Sequence, residues 1–315
     1  MEDLVLGIDI GGTFTKFGFV DIEGNILVDD KIPSDKHNDI NHFVEDLKEA
    51  VIARKKKDFN LKGIGIGAPN ANYYNGTIEY APNLKWKGVI NLNQLFSSAF
   101  ELPVVVTNDA NAAALGEMLY GGAQDLNNFI VITLGTGLGS GIVANGQVIY
   151  GHDGFAGELG HTTVKPDGRK CGCGKRGCLE TYVSVTGIER TVFELLGKET
   201  DPSELRKYSY EDLDAIMISE AADKGDKIAK KAFEETGRLL GLKLADAVAH
   251  TSPEVIFLFG GLASAGDHIL KPTRKYFDKY LLEVYRGKTS IQLSGLQGKN
   301  IAVLGSAALM WNELS

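Results

Sequence analysis

The chain has 315 residues, a formal net charge of −8 and 43% hydrophobic residues. That length suffices for two domains with cores of their own, and the acidic balance speaks against general affinity for nucleic acid, which needs a basic surface. No apolar run approaches the roughly 18 residues of a membrane helix, and the start MEDLVLGIDIGG lacks the charged-then-apolar order of a secretory leader, so a cytoplasmic protein is expected.

Leu4 to Ile10 is an apolar run bounded by glycine and reads as a buried strand. Lys16 to Ile22 and Asn25 to Asp29 follow across short turns, which suggests an antiparallel meander. Asp39 to Lys57 is helical, because Ile40, Phe43, Val44, Leu47, Val51 and Ile52 recur at helix spacing. Lys62 to Ala68 is the next strand. A long loop from Asn70 to Gly88 leads to a helix over 91–100, a strand over Pro103 to Thr107, and an Ala-rich helix over Asp109 to Leu119. Asn108 or Asp109 is its N-cap. Phe129 to Leu134 and Ser140 to Tyr150 are further strands, and Asn145-Gly146 between Val143 and Val148 signals a hairpin. The remainder is mainly helical, with a long amphipathic helix through Ala229 and Ala247, a buried strand Glu254 to Phe259, and a closing helix from Ala302 to Leu314. The order strand, strand, strand, helix, strand, helix near the start, with a second strand cluster from about residue 129, implies two similar α/β halves with a cleft between them.

Glycine is abundant, 38 of 315 residues where about 7% is ordinary, and it gathers in loops after apolar runs. Asp9-Ile10-Gly11-Gly12-Thr13 ends the first strand. Its glycines let backbone N–H groups approach a phosphate, Thr13 adds a hydroxyl, Lys16 adds positive charge, and Asp9 is placed to orient a magnesium ion through water; the alternative is a plain hairpin with two glycines. Leu134 to Gly141, LGTGLGSG, is a second glycine loop. A dinucleotide fingerprint would need a helix after it, whereas strand and hairpin follow, so a second phosphate loop fits better than a dehydrogenase. Asn108-Asp109 joins a strand to a helix, where a carboxylate can take a proton from a substrate hydroxyl or serve only as a helix cap.

All three cysteines stand in one loop with a histidine: His161, Cys171, Cys173 and Cys178, in GELGHTTVKPDGRKCGCGKRGCLE. Three thiolates and an imidazole complete a closed tetrahedral zinc site. The alternative is three reduced thiols or redox chemistry, and the odd count argues against a disulfide framework. Glu158 and Glu180 flank the set, as if the metal-folded loop held something polar.

These segments together resemble the ROK family (repressor, open reading frame, kinase). The resemblance is carried by DIGGT at 9–13, NDANAAALGE at 108–117, LGTGLGSGI at 134–142, GELGH at 157–161 and CGCGKRGCLE at 171–180, and extends over almost the whole chain. It implies a two-lobed, actin-like, hexokinase-type fold with a central cleft, a smaller α/β lobe of residues 1–118 plus 301–315, and a larger lobe of 119–300 that carries the zinc loop at 157–180. It implies ATP and Mg²⁺, with the γ-phosphate passed to the 6-hydroxyl of a hexose. Glucose is expected first; N-acetylglucosamine, N-acetylmannosamine, mannose and fructose are the alternatives.

Carried over residue by residue, Asp109 would be the base, and Asn83, Asn108, Glu158, His161 and Glu180 would bind the other hydroxyls. His161 would also hold the structural zinc, one ring nitrogen on the metal and the other towards the sugar. Asp9, Gly11, Gly12, Thr13 and Lys16 would serve phosphates and metal, Gly135, Thr136 and Gly137 the other side of the phosphates, and Gly260-Gly261 the adenosine. Dimers are common in the family, so a homodimer is expected. The family also contains sugar-responsive repressors, which carry a DNA-binding domain before the DIGGT segment; here the first strand begins by residue 4, so an enzyme is expected. Two departures stand out: Asn70 takes a position where the family often has glycine, and ANYYNG at 71–76 is an unusual loop.

Overall fold

The computed structural model describes residues 2–296 and 298–315. The chain divides into two compact units: the first comprises residues up to Asn127, Gly141–Gly157 and Ser294–Ser315, the second Asn128–Ser140 and Glu158–Leu293. Residues 119–127, 141–157 and 294–300 thus fall with the first unit, where the sequence expectation gave them to the larger lobe.

The first unit is built on a sheet of β1 (Glu2–Ile10), β2 (Phe14–Val20), β3 (Ile26–Pro33), β4 (Phe59–Gly67) and β8 (Val104–Thr107), ordered β3-β2-β1-β4-β8. The expected meander is there: β1–β2 and β2–β3 are antiparallel, whereas β1–β4 and β4–β8 are parallel. The continuous apolar runs of β1 and β4 follow from burial on both faces; Leu4, Leu6, Ile8, Ile64 and Ile66 are inaccessible to solvent. On one side lie α1 (Ile40–Arg54) and α2 (Leu92–Phe100), which bury Phe43, Val44, Leu47, Val51, Leu92 and Phe96. Their N-caps Asp39 and Asn91 accept the backbone N–H groups of Asn41 and Gln94. Against the sheet also lies α8 (Ile301–Leu314), so closely that a Cβ on Gly65 would stand 1.8 Å from the carbonyl oxygen of Ser306. Glycine at that strand position is what admits the helix backbone.

The long loop after β4 is more structured than expected. It forms a small sheet of β5 (Ala71–Asn72), β6 (Thr77–Glu79) and β7 (Val89–Asn91). Strands of two and three residues carry no readable alternation. Asn70 opens this sheet at φ 52°, a left-handed conformation that asparagine tolerates better than most side chains. That accounts for its replacing a glycine.

A second sheet repeats the plan. β9 (Phe129–Leu134), β10 (Leu138–Ala144), β11 (Gln147–Val148), β12 (Val255–Phe259) and β13 (Ser290–Leu293) are ordered β11-β10-β9-β12-β13, with β12 parallel to both β9 and β13. β10 carries the chain out of the unit after Ser140. The β10–β11 turn is the expected one, Asn145 and Gly146 both at positive φ. Helices α4 (Val185–Lys198), α5 (Ala215–Asp223), α6 (Lys227–Thr251) and α7 (Asp267–Tyr280) complete the unit. The three-strand meander followed by two parallel strands, present twice, is the actin-like, hexokinase-type arrangement. Among the described residues no helix is long and apolar enough to cross a membrane.

Candidate active site

In the first unit the register brings the key residues to one edge of the sheet. Asp9 pairs with Gly67 on β4, and Gly67 pairs with Thr107 on β8, so the C-terminal ends of three parallel strands line up. Ligands of open α/β sheets bind outside those ends. Directly after Thr107 come Asn108 and α3 (Asp109–Tyr120). Asn108 is the N-cap: its Oδ1 accepts from the Asn111 N–H at 2.7 Å. Asp109 is therefore not the cap. It sits in the first helical turn, where the helix dipole favours a carboxylate, and it is exposed.

Asp9 and Asp109 feel one another. Burial pushes the Asp9 carboxyl up to about 7, the charge of Asp109 adds to the rise, and Lys16, its cross-strand partner, opposes it. Two carboxylates this close, with one lysine beside them, suit a divalent cation, which would relieve their repulsion. The Gly11-Gly12 turn follows Asp9, and a Cβ on Gly12 would stand 2.6 Å from the carbonyl oxygen of Asn83. The Asn83 segment thus lies directly on the first glycine loop. Thr13 is exposed and its carbonyl accepts from the Ser34 N–H at 2.8 Å.

In the second unit the other glycine loop follows β9 in the same way. Val185 N–H donates to the Gly135 carbonyl at 2.8 Å and Thr186 Oγ1 to that of Thr136 at 3.0 Å, so the start of α4 fixes the loop. The outward side of Gly135 is open, with nothing within 4 Å of where a Cβ would be. Such a cradle of backbone N–H groups without side-chain bulk fits a phosphate chain. Gly260-Gly261 follow the parallel neighbour β12, and the Leu262 N–H reaches the Leu134 carbonyl at 3.1 Å.

Glu180 ties this loop to the cysteines. Its Oε2 accepts from the Leu138 N–H at 3.0 Å, and its Oε1 lies 3.6 Å from Cys171 Sγ. The ligand atoms of His161, Cys171, Cys173 and Cys178 all fall within 4.8 Å of one another. Cys173 Sγ to Cys178 Sγ is 3.7 Å and Cys171 Sγ to His161 Nδ1 is 3.6 Å. A tetrahedral zinc with bonds of about 2.3 Å to sulfur and about 2.0 Å to nitrogen has edges of about 3.5 to 3.8 Å. The donor set and its spacing therefore fit zinc. Burial pushes the Cys171 thiol up to about 12, a proton that metal binding would displace. With Nδ1 turned to the thiols, the Nε2 of His161 faces Glu158 Oε2 at 3.8 Å.

The structure thus gathers Asp9, Gly11, Gly12, Asn83, Asn108 and Asp109 in the first unit, and Gly135 to Gly137, Glu158, His161, Glu180 and Gly260-Gly261 in the second. Sequence reading gave Glu117 no role. It is buried, accepts from the Gly122 N–H at 2.8 Å and is hydrogen-bonded to Ser294, so it stitches α3 to the segment that returns from β13. Arg169 was also missed: nearly buried, it donates to the Thr181 and Gly187 carbonyls at 2.7 and 2.9 Å and pairs with Glu194 at 2.8 Å, framing the cysteine loop.

A profile of the ROK family matches residues 5–313. The glucokinase of Halalkalibacterium halodurans is 36% identical over 312 residues, covering 97% of this chain and 94% of that protein. The crystal structure of a ROK family glucokinase from Streptomyces griseus, in complex with glucose and AMPPNP, superposes with a TM-score of 0.83 at 35% identity, covering 97% of this chain and 98% of that one. A putative xylose repressor from a Caldicellulosiruptor species is 29% identical, with 99% of this chain matching 79% of that protein. The duplicated sheet, the two glycine loops and these full-length matches lead to one identification: the chain belongs to the ROK family.

Proposed function

We propose that this protein is an ATP-dependent hexose kinase that transfers the γ-phosphate of ATP to the 6-hydroxyl of glucose. The observation that carries the reading is the placement of Asp109: an exposed carboxylate in the first turn of α3, next to Asp9, in a chain that matches glucokinases along their whole length. The repressor relatives match over a smaller share of their own length.

Asp109 takes the proton of the attacking hydroxyl. The cap bond occupies Asn108 Oδ1, which leaves its Nδ2 to donate to a sugar oxygen, and Asn83 lies beside the first glycine loop to serve another. Glu158 and Glu180 accept from the remaining hydroxyls, and the Nε2–H of His161 donates to a sugar oxygen. Because Glu180 also holds the Leu138 N–H, it links the sugar side of the second unit to the phosphate loop. Bound Mg-ATP supplies the phosphoryl group and the cation that neutralises its charge. Around it, Asp9 orients the cation, the N–H groups near Gly11, Gly12, Gly135, Thr136 and Gly137 meet phosphate oxygens, and Thr13 and Lys16 add a hydroxyl and a charge. Gly260-Gly261 leave room for the adenosine. Zinc on His161, Cys171, Cys173 and Cys178 is structural: four protein ligands leave no open position. Three closely spaced free cysteines suit a reducing cytoplasm.

The test is ADP release with Mg-ATP and a panel of glucose, N-acetylglucosamine, N-acetylmannosamine, mannose and fructose. A kcat/KM for glucose far above the others is expected. Preference for an amino sugar would keep the mechanism and move the substrate; turnover with none would remove the kinase reading.

A further inference from the structure

The stretch that carries the three cysteines is closed at its base by a buried cation. The Arg169 side chain is 7% exposed and directs four N–H donors at four acceptors. Nη1 donates to the carbonyls of Thr181 and Gly187 at 2.7 and 2.9 Å, Nη2 to Thr191 Oγ1 at 3.0 Å, and Nε to Glu194 Oε1 at 2.8 Å. Its backbone is held as well. The Arg169 N–H donates to the Tyr182 hydroxyl at 2.9 Å, and the Arg169 carbonyl accepts from the Gly177 N–H at 2.8 Å. The guanidinium also lies 4.4 Å from the centroid of the buried Tyr182 ring, within the range of a cation–π contact.

These contacts bracket the cysteines in the chain. Arg169 stands two residues before Cys171, Gly177 one before Cys178, and Thr181 three after it. Residues 169–177 fold back on themselves, with Lys170 bridging Arg176 and the Cys171 N–H reaching the Lys175 carbonyl at 2.9 Å. The outer anchors Gly187, Thr191 and Glu194 belong to α4, so the arginine fastens the loop to a helix. A lysine lacks the planar fork and cannot meet these acceptors together, and buried carbonyls left unpaired are costly.

We propose that Arg169 is a positioning residue for the zinc ligands: by locking both ends of the cysteine stretch to Tyr182 and α4, it reduces the ordering that metal binding must still achieve. The proposal rests on the zinc reading above and not on the phosphoryl-transfer chemistry. Where a loop has to order as it takes its metal, that cost is subtracted from the metal affinity. Loss of the lock therefore weakens zinc binding even in a protein that stays folded.

The experiment is competition for zinc between the full chain and a chromophoric chelator, at a temperature where circular dichroism shows parent and variants folded. Arg169→Lys is expected to raise the zinc Kd about tenfold or more. Tyr182→Phe, which keeps the ring and removes the acceptor of the Arg169 N–H, should raise it about fivefold. Glu194→Gln keeps an acceptor at a half-exposed position and should stay within about twofold of the parent. An arginine that only stabilises the fold would lower the melting temperature of Arg169→Lys and leave its zinc Kd parental, and that result overturns the proposal. So does a Glu194→Gln effect as large as that of Arg169→Lys, which would place the effect in the charge and not in the lock. Should Arg169→Lys fail to fold, Tyr182→Phe decides alone: unchanged zinc affinity overturns the proposal. A parent protein that takes no zinc from the chelator overturns the metal reading and the proposal together.

Discussion

The same hairpin occurs twice in this chain and is used differently each time. In the first unit the turn between β1 and β2 carries charge: Asp9 before it, Lys16 across from it, and Asp109 close enough to raise the Asp9 pKa. In the second unit the turn between β9 and β10, residues 135–137, has no charged residue of its own. Its shape comes from outside, from the start of α4 and from Glu180, which the cysteine loop holds. One duplicated backbone plan thus yields a charged half suited to cation and proton handling and a neutral half suited to cradling phosphate. The cysteine loop is the buttress of the neutral half.

The largest effect that sharpens this contrast is on the charged side. Asp109→Asn should lower kcat on the order of a hundredfold or more, with fold and zinc content intact; parental turnover in a steady-state assay would remove the assigned role. Next is the buttress. Removing zinc with a chelator, or with Cys173→Ser, should raise the glucose dissociation constant by about tenfold to a hundredfold, because Glu158, His161 and Glu180 lose their fixed positions. Calorimetry that finds sugar affinity untouched in zinc-free protein would refute the structural coupling.

Two glycines, two positions apart, then separate the loop's two neighbours. A Cβ at Gly137 would stand 2.5 Å from Glu180 Oε2, whereas one at Gly135 meets nothing within 4 Å. Gly137→Ala should therefore displace Glu180 and raise the KM for glucose about tenfold. Gly135→Ala should leave glucose KM and melting temperature alone and raise the KM for ATP about fivefold. Equal effects of both on both substrates would break the assignment.

The smallest effect is on stability. Asp9 ionises near pH 7 in the folded chain instead of at its ordinary value of 3.8. Between those values the folded chain keeps a proton that the unfolded chain has lost, so stability without metal or nucleotide falls as the pH rises through that window. Asp9→Asn should flatten this slope in urea midpoints taken from about pH 4 to about pH 7.

Much of this was legible because the signals are local. The meander, the Asn145-Gly146 turn and the cysteine loop each lie within a short stretch, and Asn108-Asp109 announces a strand-to-helix joint by residue type alone. The sequence left open which of the two caps α3; only the Asn111 N–H decides it for Asn108. What could not be read depends on distant pairing. Tyr74 meets the Gly151 carbonyl from 77 residues away, and Glu117 meets Ser294 from 177, and neither leaves a periodic trace. Strands β5 to β7 were missed because two or three residues are too few for alternation to show, and β13 because the four residues of Ser290–Leu293 are scarcely more. The ANYYNG loop, unusual by sequence, proves to spend Asn72, Tyr73 and Tyr74 on contacts to Asp153, Glu313 and Gly151 within its own unit.

The central claim is that Asp109 activates the 6-hydroxyl of glucose towards ATP. Phosphorus NMR of the product from glucose and Mg-ATP, with the parent protein and with Asp109→Asn side by side, tests it most directly. The account predicts glucose 6-phosphate from the parent and essentially none from the variant over the same time. Phosphate on another hydroxyl, or equal product from both proteins, would contradict it.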